Sequence, residues 1–97
     1  MESFDPSIVS TLREMASGNE VPSAMLRYLV TILPKECSDR TRWVRYFAEA
    51  FCFREGEGYP IFGWQPDGSG ELQDVDIDCF LTPRISKMRE WWAGAGV

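Results

Sequence analysis

The sequence predicts an all-α protein: a small orthogonal bundle of four to five helices with one long acidic Gly/Pro-rich loop. Three observations carry this prediction. Apolar residues recur at three- and four-residue intervals through most of the chain, the spacing of a buried helix face. Helix-starting and helix-stopping residues bracket those stretches. No segment alternates with period two, and Tyr59–Trp64 is the one place where a short strand could sit. The 97 residues are expected to form a single domain, 1–97, and a hydrophobic share of 44% is ample for a packed core.

The first helix starts at Asp5-Pro6, where Asp5 can accept hydrogen bonds from free amides and Pro6 suits the first turn. Ile8, Val9, Leu12, Met15 and Ala16 form its apolar face, and Gly18-Asn19 stops it. The second runs from Pro22 to Leu33 and is apolar almost all round, with Arg27 and Thr31 as its main polar positions, so it is expected in the middle of the bundle. The third starts at Ser38 or Asp39 and reaches about Phe53, with Trp43, Val44, Phe47, Ala50 and Phe51 inward and Tyr46 at the border. Arg40, Arg42 and Arg45 near its start oppose the helix dipole, so nearby carboxylates, those of the acidic loop first, or a partner are expected to neutralise them.

Residues 54–73 form the loop, because Gly56, Gly58, Pro60, Gly63, Pro66, Gly68 and Gly70 forbid a long helix. Tyr59, Ile61, Phe62 and Trp64 are expected to fold back onto the bundle and pin it. A fourth helix is expected from Asp74, as cap, to Leu81, with Val75, Ile77, Cys79, Phe80 and Leu81 on its buried side. Thr82-Pro83 reads as the cap and first position of a fifth helix to about Trp92, followed by a frayed Gly-Ala-Gly-Val end. Of Trp91 and Trp92, either one closes the core and the other is exposed and marks a self-association patch, in keeping with a homodimer, or both are partly buried.

Charge is localised. Residues 55–78 hold seven carboxylates, Glu55, Glu57, Asp67, Glu71, Asp74, Asp76 and Asp78, without a Lys or Arg. Residues 1–54 balance and residues 79–97 carry +2, for a net charge of −5. Such a field needs a cation, a basic partner or water. It serves either as a solubilising loop or as a recognition surface. Trp64 beside these carboxylates has the composition of an interface centre. Glu55, Glu57, Trp64, Asp67, Glu71, Asp74, Asp76 and Asp78 are therefore the candidate partner-binding residues.

Other functions are disfavoured. Histidine is absent, so no Ser-His or Cys-His pair can form, and there is no phosphate-binding glycine motif. The expectation is that the protein is not an enzyme and needs no cofactor. Cys37, Cys52 and Cys79 are too few and too widely spaced for a structural zinc site, and they read as reduced thiols of a cytoplasmic protein. Cys52 is expected to be buried within the third helix, and Cys37 sits near that helix's start, where a thiolate is somewhat favoured. No apolar run is long enough to cross a membrane, and the first five residues do not read as a secretory signal. Arg40, Arg42 and Arg45 with Trp43 and Tyr46 make a poor phosphate surface on an acidic chain, so nucleic acid is not the expected partner.

Residues 65–76 resemble the calcium loop of an EF-hand. In that alignment Gln65 opens the loop, Asp67 and Ser69 take the third and fifth positions, and Gly70 supplies the sharp turn. Glu71 then offers its carbonyl, Leu72 matches the apolar eighth position and Asp76 closes the loop. The resemblance implies a calcium-binding module. The other reading of these residues is a tight Asp67-Gly68 turn leading into a helix capped by Asp74.

The run from Phe51 through Pro60-Ile61, Gly63-Trp64, Asp67-Gly68-Ser69-Gly70-Glu71-Leu72 and Asp74 to Arg89 and Trp91 resembles small acidic bacterial immunity proteins, which neutralise toxins. That resemblance implies a non-catalytic inhibitor whose acidic loop meets a basic protein partner such as a toxin. An adaptor or a nucleic-acid-mimicking inhibitor is the alternative. A mimic would space its carboxylates along one exposed ridge.

Overall fold

The computed structural model describes residues 5–34, 39–54 and 56–94. It is all-α, with helices α1 (Pro6–Ser17), α2 (Pro22–Ile32), α3 (Arg40–Phe51), α4 (Asp74–Lys87) and α5 (Arg89–Gly94), and a 3-10 helix at Tyr59–Gly63 between α3 and α4. Among the described residues there is no strand, only an isolated bridge between Trp64 and Leu72. Cys37, the Ser38 alternative for the start of α3, and the last three residues of the chain lie outside the described residues.

α1 and α3 begin where a local cap places them. The Asp5 carboxylate accepts from the Ser7 amide (2.9 Å) and hydroxyl (2.7 Å), and Pro6 follows it into α1. Asp39 accepts from the Arg42 amide (2.8 Å) and starts α3. Asn19, in the left-handed region at φ 66°, turns the chain out of α1.

The centre of the bundle is α3, not α2. α3 packs against α1, the 3-10 helix and α5, whereas α2 lies against α4 and α1. Aromatic volume decides the contest. Trp43, Tyr46, Phe47 and Phe51 are all buried on α3, while Ile32 of α2 remains 51% exposed. Phe51 meets Phe47 edge-on at 5.5 Å and Trp92 at 5.3 Å, so one aromatic column links α3 to α5. Tyr46 is buried, and its hydroxyl accepts from the Asp5 amide (3.0 Å), tying α3 to the start of α1.

Cys52 departs from expectation. It is the residue after α3, at φ 58° and ψ 38°, and its side chain is exposed. The left-handed turn swings it off the apolar stripe, and Phe53 returns to the core instead. Cys79 is exposed as well.

The boundary expected at Thr82-Pro83 is not there. α4 runs through Pro83 to Lys87, and the break falls at Met88. Its cap is Gln73, not Asp74: the Gln73 amide donates to Asp76 Oδ2 (2.9 Å) in a reciprocal capping box. Ile77, Leu81 and Ile85, four residues apart, form the buried row. Val75, Cys79 and Phe80, expected inside, are exposed. Pro83 survives because it stands on the solvent side. It lacks the amide that would bond the Cys79 carbonyl, and both residues are exposed. The buried row continues beneath the proline, so packing overrides the local break. At the end of the chain Trp92 is buried and its indole donates to the Ile85 carbonyl (2.8 Å), while Trp91 is 63% exposed.

Pro83→Ala restores one helix hydrogen bond and removes a ring clash, at the cost of a looser unfolded chain. It is expected to stabilise the protein by about 1–2 kcal/mol, read as a higher midpoint of urea unfolding.

Candidate functional site

The acidic segment is organised by Trp64. This side chain is fully buried, so it does not offer itself to a partner as the interface reading requires. It packs edge-on against Trp43 of α3 at 5.7 Å. Its indole N–H donates to Asp74 Oδ1 (2.8 Å), and Arg27 Nη1 pairs with Asp74 Oδ2 (2.8 Å). The Arg27 guanidinium also lies 5.3 Å from the Trp64 ring centre and donates to the Pro66 carbonyl (3.3 Å). One indole thus connects α2, α3, α4 and the loop. The Trp64 indole, and then the Arg27 guanidinium, hold the Asp74 carboxyl below the usual carboxylate range.

The rest of the loop closes on itself. The Leu72 amide donates to the Gly63 carbonyl (2.8 Å), which brings Gly70 against the same backbone, where a Cβ would collide with the Gly63 oxygen. The Asp67 carboxylate accepts from the Ser69 amide (2.9 Å), Gly68 takes φ +81°, and the Gln73 side-chain amide donates to the Gly68 carbonyl (3.0 Å). Hydrogen bonds from Ser69 also depress the Asp67 pKa. This is the Asp-Gly turn, not the EF-hand geometry. The left-handed residue is Gly68, whereas the EF-hand alignment needs it at Gly70. Among the described residues, no group of three or more His, Cys, Asp or Glu side chains could hold a metal ion.

The remaining carboxylates are placed one by one. Glu57 accepts from the Arg54 amide (2.7 Å) and stands 4.0 Å from Arg84 Nε. Asp76 closes the capping box of α4. Asp78 accepts from the Ser23 amide (2.9 Å) and hydroxyl (3.3 Å), and so caps α2 from across the bundle. Glu55 lies outside the described residues. Glu71 is exposed and makes no hydrogen bond or ion pair within the described residues. On α4, Asp74 and Asp78 turn toward α2 and Asp76 back toward Gln73, so the three do not form the single exposed ridge that a nucleic-acid mimic requires.

The remote cap has one legible sign. α2 opens with Val21-Pro22 and no capping side chain of its own, so its amides need an acceptor from elsewhere. Arg40 also finds acceptors in the loop, donating to the Phe62 carbonyl (2.8 Å) and, with the Gln65 amide turned to suit, to Gln65 Oε1; both are neutral, so the carboxylate expected to neutralise it is not among them.

A second feature of this face escapes the sequence. Composition turns Tyr59, Ile61, Phe62 and Trp64 all inward, but only Ile61 and Trp64 are buried, while Tyr59 is 59% and Phe62 39% exposed. The 3-10 geometry explains the split, because residues three apart share a face. Tyr59 and Phe62 meet edge-on at 6.0 Å. Together with Phe80 of α4 and Leu72 they line an open depression of about 820 Å³, which also touches Arg40, Gln65 and Glu71.

No protein-family model, curated protein or solved structure matches the chain.

Two measurements follow from this geometry. The Asp74 pKa is lowered in the folded state, so its contribution is complete above the ordinary carboxylate value and is lost as pH falls through the folded value. The melting temperature of the native protein should therefore fall more steeply below about pH 4 than that of Asp74→Asn. Asp5 and Asp67, both likewise depressed, contribute to the slope remaining in the variant. Separately, Asp78→Ala should cost about 1–2 kcal/mol in urea unfolding and raise amide hydrogen exchange at the start of α2.

Proposed function

We propose that the protein is a non-catalytic binding protein of the immunity or inhibitor type, which occludes a basic protein partner such as a bacterial toxin. One observation carries this reading. The loop between the 3-10 helix and α4 is internally braced and carries carboxylates that the domain's own cations do not all answer. Arg27 and Arg84 answer Asp74 and Glu57, but among the described residues Glu71 has no counter-charge and Asp67 is held only by its own turn.

The partner-facing set is narrower than composition alone suggests. Trp64, Asp74, Asp76 and Asp78 build the domain, and the charges left for a partner are Asp67 and Glu71, with Glu57 at the edge. Their fixed placement is what steers a cationic surface toward this face.

The absence of histidine supports the non-catalytic part of the reading. The described residues contain no helix long and apolar enough to cross a membrane. Two exposed free thiols, Cys52 and Cys79, suit a reducing compartment and support a cytoplasmic setting.

Replacing both free carboxylates, Asp67→Asn with Glu71→Gln, should slow association with the basic partner roughly tenfold at low salt, with little change in the dissociation rate. The midpoint of urea unfolding should stay nearly where it is, because the asparagine side chain keeps an acceptor for the Ser69 amide. Stopped-flow association across a salt series measures the first effect and urea unfolding the second. An association rate indifferent to both substitutions and to salt would remove the electrostatic reading.

A further inference from the structure

We propose that Asp67-Gly68 is a modification site: the Asp67 carboxyl closes on the Gly68 amide to a succinimide that reopens to isoaspartate, and the turn holding the two residues restrains this closure in the folded protein. The reaction needs no partner and is independent of the binding function proposed above.

Closure needs an amide nitrogen free to approach the side chain of the residue before it. Of the six aspartates, five are poorly placed. Asp5 precedes Pro6, which has no amide hydrogen. Asp39, Asp74, Asp76 and Asp78 are followed by Arg40, Val75, Ile77 and Cys79, which carry side chains and lie within helices. Asp67 alone precedes a glycine, so no Cβ crowds the approach. It also stands at the tip of the loop, where residues 66–69 are all exposed.

The steps balance without an oxidant or a co-reactant other than water. The Gly68 nitrogen bonds to Asp67 Cγ, and the carboxyl hydroxyl leaves with the amide proton as one water. Water then adds to the other ring carbonyl, that of the Asp67 main chain, and breaks its bond to nitrogen. The main chain now runs through the former side chain, the former main-chain carboxylate hangs from it, and mass and charge are unchanged.

In the folded protein both reacting groups are engaged. The Gly68 amide donates to the Gln65 carbonyl (3.1 Å), and the Asp67 carboxylate accepts from the Ser69 amide (2.9 Å). Gln73 Nε2 donates to the Gly68 (3.0 Å) and Gly70 (3.4 Å) carbonyls and so fixes the peptide between them. Hydrogen bonds from Ser69 also favour the ionised carboxylate, which has no hydroxyl to release. These bonds are exposed and open locally without unfolding the domain, so closure is slowed and not blocked. The product does not fit the turn. Gly70 lies against the Gly63 backbone with no room even for a Cβ, so an extra main-chain carbon pushes the turn outward and parts Gln73 from Gly68.

The test incubates the full chain in warm neutral buffer, folded and in guanidinium chloride. After dialysis, isoaspartate is measured as methyl groups accepted from S-adenosylmethionine in the presence of an isoaspartyl O-methyltransferase, and it is located by peptide mapping. It should accumulate at residue 67, roughly tenfold more slowly in the folded protein than in denaturant. Gln73→Ala should speed the folded reaction roughly threefold and leave the denatured rate unchanged. Ser69→Ala, at an exposed position outside the core, is an independent variant with the same expected direction. Asp67→Glu should abolish the signal at this position, because its ring would need a sixth member.

No isoaspartate at residue 67 in denaturant, or as much at another aspartate, would overturn the site. Equal rates in the folded and denatured chains would overturn the restraint by the turn, as would a folded rate indifferent to both Gln73→Ala and Ser69→Ala.

Discussion

The contact among Trp64, Asp74 and Arg27 is the constraint on which this structure depends. A glycine-laced segment of about twenty residues cannot order itself through backbone preference, because each glycine adds freedom that folding must remove. Trp64 solves this by burying a large ring against Trp43 and then satisfying its one polar atom on Asp74. Arg27 completes the arrangement by answering the charge that the indole alone cannot. The ion pair itself is weak, since both side chains remain about half exposed (45% and 48%). Its value is geometric. It makes the start of α4, the side of α2 and the turn at Pro66 share one set of positions.

The negative charge of residues 55–78 falls into two groups, and the structure separates them. Asp76 and Asp78 terminate helices, one its own and one a neighbour. Asp74 anchors the indole. These carboxylates do what backbone amides and an indole N–H require, and they would be needed whatever the protein binds. Glu71, and to a lesser degree Asp67, do nothing that the fold requires beyond a local turn. Charge that the fold does not consume is left on the surface. In this protein it lies beside the exposed rings of the 3-10 helix and α4.

Much of this is legible in the residues themselves. Asp5-Pro6 and Asp39 announce the starts of α1 and α3 through local hydrogen bonding, which sequence reports directly. The apolar rows of α1 and α3 follow from their spacing. What cannot be read are outcomes settled at long range. Pro83 sits within α4 because Ile85 must continue a buried row begun at Ile77. α2 yields the centre to α3 because hydrophobicity all round does not outweigh four large rings on one side. Cys52 leaves the core because a left-handed backbone turn moves it. Trp64 is legible as a pin for the loop and as a candidate interface centre, but the sequence does not choose between the two. Of the residues that satisfy it, Asp74 lies 10 positions away and Arg27 far back in α2. Tyr59 and Phe62 escape because a threefold period within five residues is too short a pattern to recognise.

The hydrogen bond from Ser23 to Asp78 spans 55 positions of the chain, and this has a consequence for biosynthesis. During translation the second helix leaves the ribosome with its leading amides unanswered, long before its acceptor exists. A segment in that state gains little from local coil-to-helix order and must wait for a distant part of the polypeptide. The first turn of α2 therefore receives its cap only after residue 78 has been made and the fourth helix has docked beside it.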